Sequence, residues 1–157
     1  TGSYDHIPSE EKYANLLEGL KRALDITPKE IKLVLEPLNT RVDHPGYYLQ
    51  DMATAVSLIR EIDDSRLKVL ADLYHLGIMG EDLRVIIDEY ADLIGYIHVA
   101  DFPGRHEPGT GSADWSSLLR QLKERGYTGS VGFEYRPAQD PDESLRSIRA
   151  LWDKTTA

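Results

Sequence analysis

Ile31-Lys32-Leu33-Val34-Leu35-Glu36-Pro37 is a short run of β-branched and leucine side chains closed by a proline. Pro37 restricts the residue before it to extended backbone, so the run predicts a strand over Ile31 to Glu36 that ends on an acid. Upstream, Tyr13, Leu16, Leu17, Leu20 and Leu24 share one helical face between Glu10 and Leu24, and Ser9 precedes them as the expected N-cap. Downstream the alternation returns three times. Helices are expected near Leu49 to Ile62, over Glu81 to Leu93 and over Trp115 to Arg125; the strands that follow them are Leu67 to Asp72, Tyr96 to Asp101 and Ser130 to Glu134. A last helix is expected from about Glu143 to Trp152. Strands separated by helices of this length require crossover connections, so the fold class is α/β, a parallel sheet of β/α units. No linker or low-complexity stretch divides the 157 residues, which are expected to form a single domain.

Composition narrows the function. The chain carries 27 acidic and 18 basic residues, a formal net charge of −9, so a nonspecific phosphate-backbone binder is disfavoured and no nucleic acid partner is expected. Cysteine is absent. That excludes a disulfide framework and any thiolate nucleophile or metal ligand, leaving carboxylates, histidines and hydroxyls for chemistry. Neither an apolar stretch of about 20 residues nor a signal-peptide start is present, so a cytoplasmic protein with no membrane partner is expected. The chain begins at Thr1 and its only methionines are Met52 and Met79, so a natural start that has been removed or lies further upstream is expected.

The informative pattern is what terminates each strand: Glu36, Asp72, His98 and Glu134. Residues two apart on a strand share a face, so Lys32, Lys68, Ile94 and Ser130 are expected on the side of these polar groups. Leu35, Ala71, Ile97 and Phe133 then point to the covering helices. Three carboxylates and an imidazole converging at one sheet edge would repel and resist desolvation unless a cation neutralised them. With no thiolate, such a set suits Mg²⁺, Mn²⁺, Co²⁺ or Fe²⁺ better than structural zinc. Each residue alone has a plainer reading, a helix cap or a core histidine; four equivalent positions together favour the metal. Asp101 lies on the opposite parity and is expected to anchor a loop, and Asn39 is expected to turn one. Trp115 and Trp152 are expected to pack helices; for Tyr47 and Tyr48 aromatic packing is the default reading, with covering the pocket as the alternative.

Four segments carry a resemblance: LEPLNTRVDHPGYYL (35 to 49), LADLYHLGIMGEDL (70 to 83), IGYIHVADFPGRHEPGTG (94 to 111) and VGFEYRP (131 to 137). In these the sequence resembles the hydroxypyruvate isomerase family, among the xylose isomerase-like TIM barrels. The resemblance implies strands five to eight of a (β/α)₈ barrel, hence a C-terminal half-barrel or truncated barrel, since a full one needs roughly 250 residues. It implies that Glu36, Asp72, His98 and Glu134 are the metal positions, that Glu36 and Glu134 are also the catalytic acid/base pair, and that His75 and Arg105 contact substrate. The expected activity is an aldose–ketose type isomerase interconverting hydroxypyruvate and 2-hydroxy-3-oxopropanoate. It would act on a small hydroxy-keto acid or sugar, with a divalent ion (Mg, Mn or Co) and no organic cofactor. Two departures bear on substrate: hydroxypyruvate isomerases often carry glutamine where His98 stands, and Ser112 replaces the acid that commonly follows GTG. Competing expectations are a ketose 3-epimerase, an inactive half-barrel or interaction module, and a metal-dependent abasic-site endonuclease. A homo-oligomer or pairing with a missing N-terminal half-barrel is the expected way to cover the sheet edges.

Overall fold

The computed structural model describes residues 6–156. Its elements run α1 (Ser9–Ile26), β1 (Leu33–Leu35), α2 (Met52–Ile62), β2 (Leu67–Asp72), α3 (Leu73–Met79), α4 (Leu83–Tyr90), β3 (Ile94–Val99), α5 (Trp115–Glu124), β4 (Ser130–Phe133) and α6 (Pro141–Thr156). The four strands form one parallel sheet in the order β1-β2-β3-β4. The α/β reading therefore holds, with every strand hydrogen-bonded to its sequence neighbour.

One face of the sheet carries Leu35, Leu67, Val69, Ala71, Ile97 and Val99, all buried, against Leu24 of α1, Ala55 and Leu58 of α2, Ile86 and Ile87 of α4, and Leu118 and Leu122 of α5. Burying a leucine or isoleucine side chain is worth roughly 1.5–3 kcal/mol, so this face drives the packing. Phe133 is only partly buried and meets Trp152 edge to face, their centroids 6.4 Å apart. Trp115 packs likewise against Phe102.

Several expected boundaries move. Ser9 is not the cap of α1: the Pro8 carbonyl already accepts from Lys12 N–H, so Ser9 is the first helical residue. β1 is three residues long rather than six, because Ile31 N–H turns back to the Pro28 carbonyl and the ladder begins only at Leu33. The expected helix from Glu81 begins at Leu83, where the Asp82 carboxylate accepts from Arg84 and Val85 N–H. The short helix α3 was not foreseen; Asp72 caps its start and Gly80, at φ 86°, ends it.

Ile94 was expected beside His98 but takes the other face. Val69 pairs with Ile94 while Leu70 pairs with Tyr96, so Gly95 is an extra residue in β3 and the parity flips there. A Cβ on Gly95 would come within 2.7 Å of Lys68 Cβ, so only glycine fits. Ile94 thus joins the helix-covered core at 6% exposure.

Candidate functional site

The ladder sets out the site. Asp72 pairs with His98 across β2 and β3, and His98 pairs with Gly132 across β3 and β4, which puts Glu134 two residues beyond it on the same face. Gly132 matters here: a Cβ would approach Tyr96 Oη to 2.8 Å and His98 Cδ2 to 3.2 Å, so the bare backbone makes room for both rings. Glu36 follows β1, and Pro37 holds it extended.

These four side chains meet. One ligand atom from each of Glu36, Asp72, His98 and Glu134 lies within 4.8 Å of all the others. His98 Nδ1 is 3.8 Å from Glu36 Oε1, 3.9 Å from Asp72 Oδ2 and 3.5 Å from Glu134 Oε2. It is buried and has no hydrogen-bond partner. An imidazole nitrogen without a partner, facing three carboxylate oxygens, fits a divalent cation: the donors are hard oxygens plus one borderline nitrogen.

Arg105 and His75 border the cluster. Arg105 Nη2 donates to Glu134 Oε2 at 2.5 Å and to Asp72 Oδ2 at 3.4 Å, and its guanidinium lies 4.9 Å over the Tyr74 ring. His75 sits in α3, at 1% exposure. Its Nδ1 accepts from Asn39 N–H at 3.2 Å, which places the ring proton on Nε2, 3.6 Å from Asp72 Oδ2.

The electrostatics follow from burial and crowding. Glu36 is pushed up to about 7 by burial and by the charges of Asp72 and Glu134, with Arg105 opposing. Burial also raises Asp72, against the pull of Arg105 and the Tyr74 and His75 N–H groups. His75 is pushed down to about 4 by burial and by Arg105, so it is neutral at pH 7.

Asn39 makes its turn, its Oδ1 accepting from Val42 and Asp43 N–H, and it also buttresses His75. Asp101 anchors its loop: fully buried, it accepts from the N–H groups of Phe102, Gly109 and Ala113. Ser112 donates its hydroxyl to the Phe102 carbonyl. Tyr47 packs against the core. Two residues escaped the sequence reading. Asp43 collects Asn39 Nδ2 and the Tyr74 hydroxyl, and Glu107 is buried in the β3–α5 loop. Neither lies in a periodic segment, so no spacing signals them.

Residues 1–151 match the family described as xylose isomerase-like TIM barrel. The chain is 37% identical over 139 residues to the hydroxypyruvate isomerase of Escherichia coli K12, covering 88% of this chain and 54% of that protein. The solved structure titled AP endonuclease, family 2, from Brucella melitensis superposes with a TM-score of 0.88 at 30% identity, over 96% of this chain and 58% of that one. For the 3-keto-D-glucoside 4-epimerase YcjR of E. coli the TM-score is 0.81 at 28% identity, over 92% and 56%. The chain spans about half the length of the curated relatives it matches. No helix among the described residues is long and apolar enough to cross a membrane.

Proposed function

The chain belongs to the xylose isomerase-like TIM barrel family, and on that premise we propose that it supplies the C-terminal half of a sugar or sugar-acid isomerase whose substrate is hydroxypyruvate or a close analogue. The observation that carries the reading is the Glu36, Asp72, His98, Glu134 cluster at the C-terminal ends of parallel strands, where barrel enzymes place their chemistry. The similarity to hydroxypyruvate isomerases supports the substrate class.

We assign metal binding to these four side chains, with Mg²⁺, Mn²⁺ or Co²⁺ as the ion. Bound there, such an ion would polarise a substrate carbonyl and stabilise negative charge on neighbouring oxygens. The chain's own groups move the protons. Glu134 takes a proton from carbon 3 of hydroxypyruvate, leaving an enediolate. Glu36, raised to about 7 and so able to hold or release a proton near neutrality, serves as its acid/base counterpart. A proton is returned to carbon 2 while the hydroxyl proton passes from the oxygen on carbon 3 to that on carbon 2. The product, 2-hydroxy-3-oxopropanoate, contains the same atoms. Arg105 binds the substrate carboxylate, and His75 offers its Nε2–H to a substrate oxygen.

Glu134→Gln should abolish enzyme-dependent solvent deuterium incorporation at carbon 3, followed by proton NMR in D₂O, with the circular dichroism spectrum unchanged. Undiminished exchange would remove Glu134 from this role. A second reading, epimerisation of a keto sugar, is favoured by His98, because the family's epimerases carry histidine there. In that case the proton leaves and solvent deuterium enters at the same carbon, with inverted configuration. The net charge of −9 weighs against the nuclease alternative.

A further inference from the structure

Glu107 is a buried acid that the chemistry above does not use. It is 2% exposed, its Oε2 accepts from Ala138 N–H at 2.9 Å, and its carboxylate also faces its own backbone N–H and the Ser144 hydroxyl of α6. Burying a carboxylate is costly, and the N–H groups it accepts from are what offset that cost. Two more bonds cross the same seam. Arg136 N–H donates to the Arg105 carbonyl at 2.8 Å, and His106 Nδ1 lies 2.7 Å from the Arg136 carbonyl, which can only accept, so Nδ1 carries the proton. From the other side, Asp101 N–H donates to the His106 carbonyl at 2.8 Å.

Between these fastenings stands Arg105, with φ at 56°. A non-glycine residue in that region costs on the order of 1 kcal/mol or more and persists where its surroundings over-determine it. From this backbone position the guanidinium reaches Glu134 and Asp72.

We infer that Glu107 is a positioning residue: by clamping the loop 102–112 to the segment 134–138, it sets the Arg105–Glu134 pair at the mouth of the carboxylate cluster. Glu107 touches neither partner through its side chain and acts through the two backbones. What the pair does for substrate rests on the function proposed above; its placement does not.

The test uses the 157-residue chain labelled with ¹⁵N. The Arg105 guanidinium signal, assigned with Arg105→Ala, is expected to show hindered rotation and protection from solvent exchange. Glu107→Ala should reduce that protection about tenfold or more while the amide signals of the four strands stay in place. Glu107→Gln keeps an oxygen for Ala138 N–H and should restore it. Ala138→Pro removes the donor instead and should copy Glu107→Ala. Unchanged protection in a folded Glu107→Ala or Ala138→Pro protein, or equal loss in Glu107→Gln, overturns the inference. So does failure of both disrupting variants to fold, since the clamp would then serve the domain and not the pair. In parallel, the Kd for hydroxypyruvate should rise about tenfold in Glu107→Ala and in Arg105→Ala, and no further in the double variant. If Arg105→Ala leaves that Kd unchanged, the substrate reading of Arg105 falls, while the exchange data still decide the positioning.

Discussion

Replacing Glu36 by glutamine should make the metal-free protein more stable near neutral pH while destroying the site. The native carboxyl is pushed from 4.5 to about 7 by burial, Asp72 and Glu134. At about 1.36 kcal/mol per unit the full rise would amount to ~3 kcal/mol. The side chain is 30% exposed, and screening by water reduces this to about 1–2 kcal/mol. The sign follows from proton binding. From pH 4.5 up to about 7 the native state holds the Glu36 proton more tightly than the unfolded chain, so this contribution to stability is lost as pH rises through that window. Below it both states are protonated, and acid and amide differ least. The variant should therefore match the parent near pH 4.5 and exceed it by about 1–2 kcal/mol at about pH 8. Urea unfolding in the presence of a chelator reads the difference. With a slope of about 1–3 kcal/mol per molar, the midpoint should move by roughly 0.3–2 M. A gap independent of pH, or a parent more stable than the variant at about pH 8, would refute the repulsion argument. Manganese at about a hundred times its Kd should then reverse the ranking, stabilising the parent alone by about 2.7 kcal/mol.

His98→Ala removes the one nitrogen donor and should weaken Mn²⁺ binding about a hundredfold, read from the free-ion EPR signal; retained affinity would take His98 out of the ligand set. Asp101→Ala leaves three N–H groups of the β3–α5 loop without their acceptor and should cost about 3 kcal/mol in urea unfolding. A loss below about 1 kcal/mol would mean that water or a shifted backbone replaces the anchor.

The convergence of Glu36, Asp72, His98 and Glu134 was legible because strand parity is a strict period, and the polar residues at the strand ends obey it. Legibility failed where one residue changed the count. Gly95 adds a position to β3 and turns Ile94 to the other face, and nothing in the spacing of apolar residues marks that. The helix α3 follows β2 with no intervening loop and is seven residues long, too short for its apolar residues to show a helical period; the Asp72 to Gly80 cap pair was the available signal. Glu107 and Asp43 were opaque for another reason. Their partners, Ala138 and Tyr74, lie 31 residues away in each case, and such bonds exist only once the fold has formed.

Each member of the carboxylate and imidazole cluster stands on a different strand or on the residue just past its end, while Arg105 and the Asn39 turn hang from the connections between strands. This separates two kinds of change. A substitution, insertion or graft within a connection remodels what the mouth of the site admits, and the backbone ladder keeps the four donors where they are. A slip of one residue in any strand pairing, by contrast, swings a donor into the helix-covered core and breaks up the cluster. On the function proposed above, selectivity could be varied by small steps, whereas the four-donor cluster is kept or lost as a whole.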